Sequence, residues 1–333
     1  MTIQTIGIIG GGAWGTALAQ AVIHSGRDAL LWAYEAETVE AINAAHMNHT
    51  YLPEVPLDAR LRATGSLAEI AERDAVLMVA PAQHMRAIAG QLADALPEGR
   101  PVVICSKGIE QGTAKLMSEV MSEALPQASP AVLSGPSFAA EVARGLPAAL
   151  TLACENEDLG EALALAIGHP TFRPYWSQDI VGTQIGGAIK NVLAIAAGIV
   201  VGKKLGSNAH AALTTRGFSE MVRFGTALGA KAETLTGLSG LGDLILTCGS
   251  PQSRNMSLGI ALGEGKMLEE VLGARNSVSE GVYTASAVAE IADKYQLDLP
   301  ICSAVHAVVS GTTGVDQAIE DLLARPFRAE LEA

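Results

Sequence analysis

TIGIIGGGAWGTALA, residues 5–19, decides how the N-terminal half of this chain is read. A strand-length apolar run leads into Gly10, Gly12 and Gly15, spaced G-x-G-x-x-G, and TALAQAVI then takes up helical spacing. In such a turn the first glycine allows the tight bend. The second lets backbone amides approach a pyrophosphate, and the third permits close packing of helix on strand. A chain with 35 glycines produces this spacing by chance as well, so the strand before it and the helix after it carry the argument. The competing reading is a glycine turn with no ligand. The next apolar run, LLWAYE, ends in Glu35, 20 residues beyond Gly15, where an acid can accept hydrogen bonds from a ribose. Tyr34 is the alternative ribose neighbour, with Glu35 then facing the dipole of the following helix. Preference between NAD and NADP is left open, and use of both is expected.

Outward from this turn, apolar runs recur at 28–34, 75–81, 101–106, 131–135 and 148–154, separated by segments of helical spacing. They lack strict alternation, which suits strands buried on both faces of a parallel, doubly wound sheet. After YWSQD (175–179) the strand signals fade, and helices are predicted over 181–201, 208–229, 254–263, 279–294 and 301–309. The expected fold is α/β: a Rossmann-type dinucleotide-binding domain over 1–178, then an all-helical substrate-binding and catalytic domain over 179–333. No low-complexity linker separates them, so a close interface is expected.

A chain of 333 residues, 49% apolar and 17% charged, is ample for two cores. Its 22 basic and 35 acidic residues leave a net charge of −13, which argues against a nucleic-acid partner or an anionic-membrane surface. Any anionic ligand must be drawn by local cations. Cys105, Cys154, Cys248 and Cys302 lie far apart without metal spacing and read as reduced, buried thiols. The histidines, His46 and His49 in the polar HMNHTYLPEVP loop among them, form no ligand set, and no metal is expected. There is no G-x-S-x-G motif for nucleophilic catalysis. The opening MTIQTIGIIGGG has no basic n-region, so a cytoplasmic location is expected.

GGAIKNVLAIAAG (186–198) raises a different question, because Lys190 is the only fully charged residue between Val181 and Val201. A membrane span is disfavoured, since a central Lys costs about 2.5–3.5 kcal/mol on insertion scales and Gln184 and Asn191 add to it. Two readings stay open: a core helix whose lysine snorkels to the surface, or a lysine buried for chemistry.

The blocks GIIGGGAWGTALA, CSKG, SGPSFAAE, GGAIKNVLAIAAG, NAHAALTTRGFSEM, GLSGLGDLILTC and SRN occur in this order. Together they resemble the NAD(P)-dependent glycerol-3-phosphate dehydrogenases of the bacterial type, over nearly the whole chain. The resemblance implies interconversion of dihydroxyacetone phosphate and sn-glycerol 3-phosphate, in a homodimer that supplies the glycerol backbone of phospholipids. It implies that Lys190 is the proton donor and acceptor, with Lys107 and Asp243 as further catalytic residues. Gly135, Ser137, Asn191, Thr247, Ser253, Arg254 and Asn255 would join Lys107 and Asp243 in holding substrate. Gly10, Gly12, Ala13, Trp14, Gly15, Tyr34, Glu35, Lys107, Ala139, Arg254, Val278 and Glu280 would meet the cofactor. Ala13 is a departure, since many relatives have Ser or Asn there; the backbone amides are kept.

The residues themselves fit this chemistry. Reducing a ketone places negative charge on oxygen, so a cation and a proton must meet it. Lys190 can supply both, and Asp243 is the partner to tune it. Asp243 and Thr247 are four apart and share a helix face, although Asp243 also suits an N-cap of DLILTC. Lys107 follows PVVICS at the carboxyl end of the sheet, where ligands bind; an exposed loop lysine is the alternative. A helix opening at Ser253 would offer amides and the Arg254 guanidinium to a phosphate, or Arg254 is a solvated helix residue. Two other functions compete: a related two-domain dehydrogenase of another hydroxy acid or sugar acid, and a catalytically silent dinucleotide sensor.

Overall fold

β1 (Thr5–Ile9) enters the glycine turn and α1 (Ala13–His24) leaves it. The computed structural model describes residues 2–273, 279–327 and 329–330. The N-terminal half continues with β2 (Asp28–Trp32), α2 (Ala36–Ala45), β3 (Met47–Asn48), β4 (Leu52–Pro56), β5 (Arg62–Thr64), α3 (Leu67–Ala71) and β6 (Ala75–Met78). It closes with α4 (Met85–Leu92), β7 (Pro101–Ile104), α5 (Met117–Ala124), β8 (Ser129–Ser134), α6 (Ala139–Ala143), β9 (Ala148–Ala153), α7 (Glu157–Ile167) and β10 (Phe172–Ser177).

Eight of these strands form one sheet in the order β10-β9-β8-β7-β6-β1-β2-β5. The chain winds one way from β1 to β2 and β5, and the other way from β6 onward. The order therefore reverses between β1 and β6, and the glycine turn sits at the carboxyl end of β1 beside that crevice. The middle strands are buried on both faces, Ile6, Ile8 and Ile9 among them, which is why their sequences run apolar without alternation.

The expectation of an all-parallel sheet is corrected at one pair, since β8 and β9 run antiparallel, Val132 opposite Ala153. Their link, 135–147, carries only the short α6, which packs on α1. The chain therefore returns beside β8 instead of crossing the sheet face. β10 was not expected as a strand. It is an edge strand, and the Pro174 and Arg173 that weaken its sequence signal are tolerated there. HMNHTYLPEVP, expected as a loop, is the hairpin β3–β4.

The second half is helical: α8 (Ile180–Gly202), α9 (Ser207–Ala227), α10 (Ala232–Leu235), α11 (Asp243–Gly249), α12 (Arg254–Gly263), α13 (Leu268–Gly273), α14 (Glu280–Tyr295), α15 (Pro300–Val309) and α16 (Val315–Leu323). α8 is its axis, wrapped by α9, α11, α12, α14 and α15. By length and composition α8 could cross a membrane, but 89% of its most apolar window is buried inside the protein. α12 approaches it backbone to backbone. A Cβ on Gly198 would lie 2.1 Å from the Met256 carbonyl oxygen, and one on Gly259 would lie 2.0 Å from that of Ile195.

Candidate active site

Lys190 lies midway along α8 and is only 8% exposed, while Asp243, at the start of α11, is 0% exposed. The Lys190 ammonium donates to Asp243 Oδ1 at 2.7 Å and to Thr247 Oγ1 at 2.9 Å. Thr247 in turn donates to the same carboxylate oxygen at 3.2 Å, as residues one helical turn apart can. From the other half, Lys107 Nζ donates to Asp243 Oδ2 at 2.7 Å and to the Gly135 carbonyl at 2.9 Å. Both carboxylate oxygens of Asp243 thus go to lysines. The reading of Asp243 as an N-cap is overturned, since Gly242 holds that position, and so is the snorkelling Lys190.

Two glycines of α8 make room for this array. A Cβ on Gly186 would lie 2.4 Å from the Ser239 carbonyl oxygen, in the turn before α11. One on Gly187 would lie 2.5 Å from Ser134 Oγ and 3.4 Å from Lys107 Cγ. Gly135 has φ of +151°, outside the usual range of other residues, and its carbonyl also accepts from Ser137 Oγ at 3.0 Å.

Burial lowers the Lys190 pKa to about 8, with Asp243 opposing the shift and the Lys107 charge adding to it. Burial also works against ionisation of Asp243, but the Lys107 and Lys190 ammonium groups outweigh it and hold the carboxyl below its ordinary value. Two cations around one anion leave the pocket net positive inside an acidic protein. Of the three Lys190 N–H donors, Asp243 and Thr247 take two, and the third is available to a substrate oxygen among the described contacts.

Asn191 Nδ2 donates to the carbonyls of Lys107 at 3.3 Å and Gly187 at 3.2 Å. Asn255 Nδ2 donates to Asn191 Oδ1 at 2.9 Å, and its own Oδ1 accepts from the Gly281 N–H at 3.1 Å. This chain of amides joins the Lys107 loop, α8, α12 and the start of α14. Ser253 caps α12, its hydroxyl accepting from the Met256 N–H at 3.2 Å. Arg254 stands exposed at the first position of that helix, close enough for its charge to act on Glu280.

At the other end of the crevice, Gly10 has φ of +129°, and a Cβ on Gly15 would lie 1.9 Å from the Gly10 carbonyl oxygen. Around Gly12 there is open space. No side chain caps α1, and no acid sits in its first turn. The turn therefore fits a pyrophosphate, with uncapped backbone amides at the start of α1 and no acid in its first turn. Ala13 and Trp14 flank it half-buried. Tyr34 is 84% exposed, and Glu35 opens α2, its Oε1 accepting from the Tyr51 hydroxyl at 3.1 Å. Glu280, from the helical half, accepts from the Ala82 N–H at 3.1 Å. Ala139 opens α6. Val278 lies outside the described residues.

The family described as NAD-dependent glycerol-3-phosphate dehydrogenase matches this chain in two parts, its N-terminus over residues 5–160 and its C-terminus over 179–320. The chain belongs to this family. It is 62% identical to the glycerol-3-phosphate dehydrogenase [NAD(P)+] of Parvibaculum lavamentivorans over 99% of both chains. It is 56% identical to that of Caulobacter vibrioides, over 99% of this chain and 100% of the relative. The crystal structure of glycerol-3-phosphate dehydrogenase from Coxiella burnetii superposes with a TM-score of 0.92 at 39% identity, covering 97% of this chain and 99% of that one.

Within this glycerol-3-phosphate dehydrogenase fold, Lys107, Lys190, Asp243 and Thr247 form one hydrogen-bonded cluster, and the Gly135 carbonyl accepts from both Lys107 and Ser137. Asn191 and Asn255 line the same place with their amides engaged by protein, and the Ser253 hydroxyl is occupied as a cap. Tyr34 turns to solvent. The sequence reading missed Ser134, whose buried hydroxyl has no partner among the described residues beside Gly187 and Lys107. SGPSF held its signal, one residue before the Gly135 that was chosen. It also missed the Ala82 amide, which no side-chain pattern can reveal.

Proposed function

We propose that the buried Lys190–Asp243–Lys107 array protonates a ketone oxygen as the carbonyl is reduced, and takes the proton back in the reverse direction. As a member of its family the protein is an NAD(P)-dependent oxidoreductase, interconverting dihydroxyacetone phosphate and sn-glycerol 3-phosphate. The nicotinamide, when bound, supplies or accepts the hydride. The protein's part is to meet the charge that develops on oxygen. Lys190 offers its remaining N–H, Asp243 keeps the ammonium charged and aimed, and Lys107 adds a second cation beside it. Arg254 and the amides opening α12 hold the phosphate, and Gly10, Gly12 and Gly15 with the start of α1 hold the pyrophosphate of the coenzyme.

The single observation behind this reading is a buried lysine with its ammonium fixed by two hydrogen bonds in a cluster of two cations and one anion. The test follows reduced-coenzyme absorbance with dihydroxyacetone phosphate, with sugar acids and with no substrate, in wild type and Lys190→Met. Activity on the phosphotriose that vanishes in the variant supports the assignment, and activity that survives in a folded variant sinks it. Retention of the whole cluster disfavours the silent sensor, and the relatives disfavour another hydroxy acid.

Four finer points belong to the same reading. The domains divide near 178/179, supported by the end of β10 at Ser177 and the Asp179 cap of α8. The protein works as a homodimer, in the cytoplasm, and its product is the backbone of glycerophospholipids.

A further inference from the structure

Segment 46–57, HMNHTYLPEVPL, contributes neither to the lysine cluster nor to the glycine turn, yet three of its contacts reach the coenzyme end of the crevice. Asn48, 1% exposed, donates through Nδ2 to the Gly11 carbonyl at 2.8 Å and to Thr16 Oγ1 at 2.8 Å. Its Oδ1 accepts from the Tyr51 N–H at 3.1 Å, which ties the clamp to the hairpin's own turn. The Tyr51 hydroxyl donates to Glu35 Oε1 at 3.1 Å, and Gln20 on α1 accepts from the Asp58 N–H at 2.8 Å just past the hairpin.

These contacts act on the groups that would touch a dinucleotide. The Gly11 carbonyl and the Gly12 N–H belong to one planar peptide, so holding the first fixes where the second points. Thr16 lies in the first turn of α1, so one amide locks the glycine turn to the helix it opens. Glu35 is exposed, and a carboxylate in water samples several rotamers unless something holds it. The Tyr51 phenol is held in its protonated, donating form, since burial and the Glu35 charge both raise it.

We propose that the β3–β4 hairpin is a positioning element of the coenzyme site, in which Asn48 sets the glycine turn for the pyrophosphate and Tyr51 sets the Glu35 carboxylate for the ribose. This rests on the assignment of Gly10, Gly12, Gly15 and Glu35 to the coenzyme.

The test is fluorescence titration of NADH and NADPH into the wild type, Asn48→Ala, Thr16→Val, Tyr51→Phe and Glu35→Gln. Melting temperature and the KM for dihydroxyacetone phosphate are measured beside it. Asn48→Ala is expected to raise Kd for both coenzymes alike, by about tenfold, with a smaller change in the KM for the triose. Thr16→Val, which keeps the Gly11 contact, is expected to raise Kd by less. Tyr51→Phe is expected to shift the Kd ratio toward NADPH by about threefold, in the same direction as Glu35→Gln. A folded Asn48→Ala that binds both coenzymes at wild-type Kd overturns the clamp. Should that variant not fold, an unchanged Kd in Thr16→Val overturns it. A shift in Glu35→Gln without one in Tyr51→Phe removes Tyr51 and keeps Glu35 at the ribose. No shift in either removes both.

Discussion

Lys190 sits in a long apolar helix, and its surroundings place its titration near the working range of an enzyme. Burial lowers its pKa, Asp243 pulls it back, and the balance lies at about 8. Reduction needs the ammonium, so we expect its kcat to hold below this value and to fall as pH rises through about 8. Oxidation needs the free amine and should rise through the same range. In Asp243→Asn the opposing carboxylate is lost, so the midpoint for reduction should move to lower pH; an unmoved midpoint would assign the titration to another group. Lys190→Met keeps the stem and removes the charge. Its kcat should fall by at least about 100-fold, in line with the worth of general acid–base catalysis, while NADH titration shows the coenzyme site intact.

At the scale of elements, the α8–α12 contact sets the distance between Lys190 on one helix and Arg254 on the other. The obstacles to a methyl group at Gly198 or Gly259 are carbonyl oxygens of the facing backbone, which cannot swing aside as a side chain can. Gly198→Ala and Gly259→Ala should therefore each cost about 1–3 kcal/mol or more in urea unfolding. Arg254 itself should show its role through substrate choice. Arg254→Ala is expected to lose about 2–4 kcal/mol in kcat/KM for dihydroxyacetone phosphate and little for unphosphorylated dihydroxyacetone. Equal losses on both would move Arg254 to the coenzyme or to the fold. The elements themselves were largely legible: α12 begins at Arg254 as the Ser253 cap signalled, and α8 spans Ile180–Gly202 against an expected 181–201. β10 and the β3–β4 hairpin were not, because Pro174 and the mixed polarity of 46–57 hide strands whose stability comes from a neighbour.

Across the whole molecule the two halves are joined by polar contacts as well as apolar ones. Lys107 reaches Asp243, Asn191 reaches the Lys107 carbonyl, Glu280 takes the Ala82 N–H, and Gln184 exchanges hydrogen bonds with Ser118. Separating the halves would leave the buried Asp243 carboxylate without Lys107, one of its two cationic partners, a costly state for buried charge. Calorimetric unfolding should accordingly show one transition, and two resolved transitions would mean that the halves are held together far more weakly than these contacts imply. The net charge of −13 is offset locally by Lys107 and Lys190, which meet at Asp243.

By itself the sequence determined the glycine turn, the doubly buried strands and the long central helix, because each is a local matter of backbone sterics or of apolar periodicity. It also marked Lys190 as anomalous, since a charge within a buried pattern is visible without any partner. What the charge meets was decided only in three dimensions: Asp243 is 53 residues from Lys190 and 136 from Lys107. Likewise Asn48 finds Gly11 37 residues away, and β8 turns antiparallel to β9 because the chain between them packs on α1. A residue's own neighbourhood in the chain fixes its conformation and its tendency to be buried. Which distant group compensates it depends on how whole elements pack, and that is set by the sum of their surfaces.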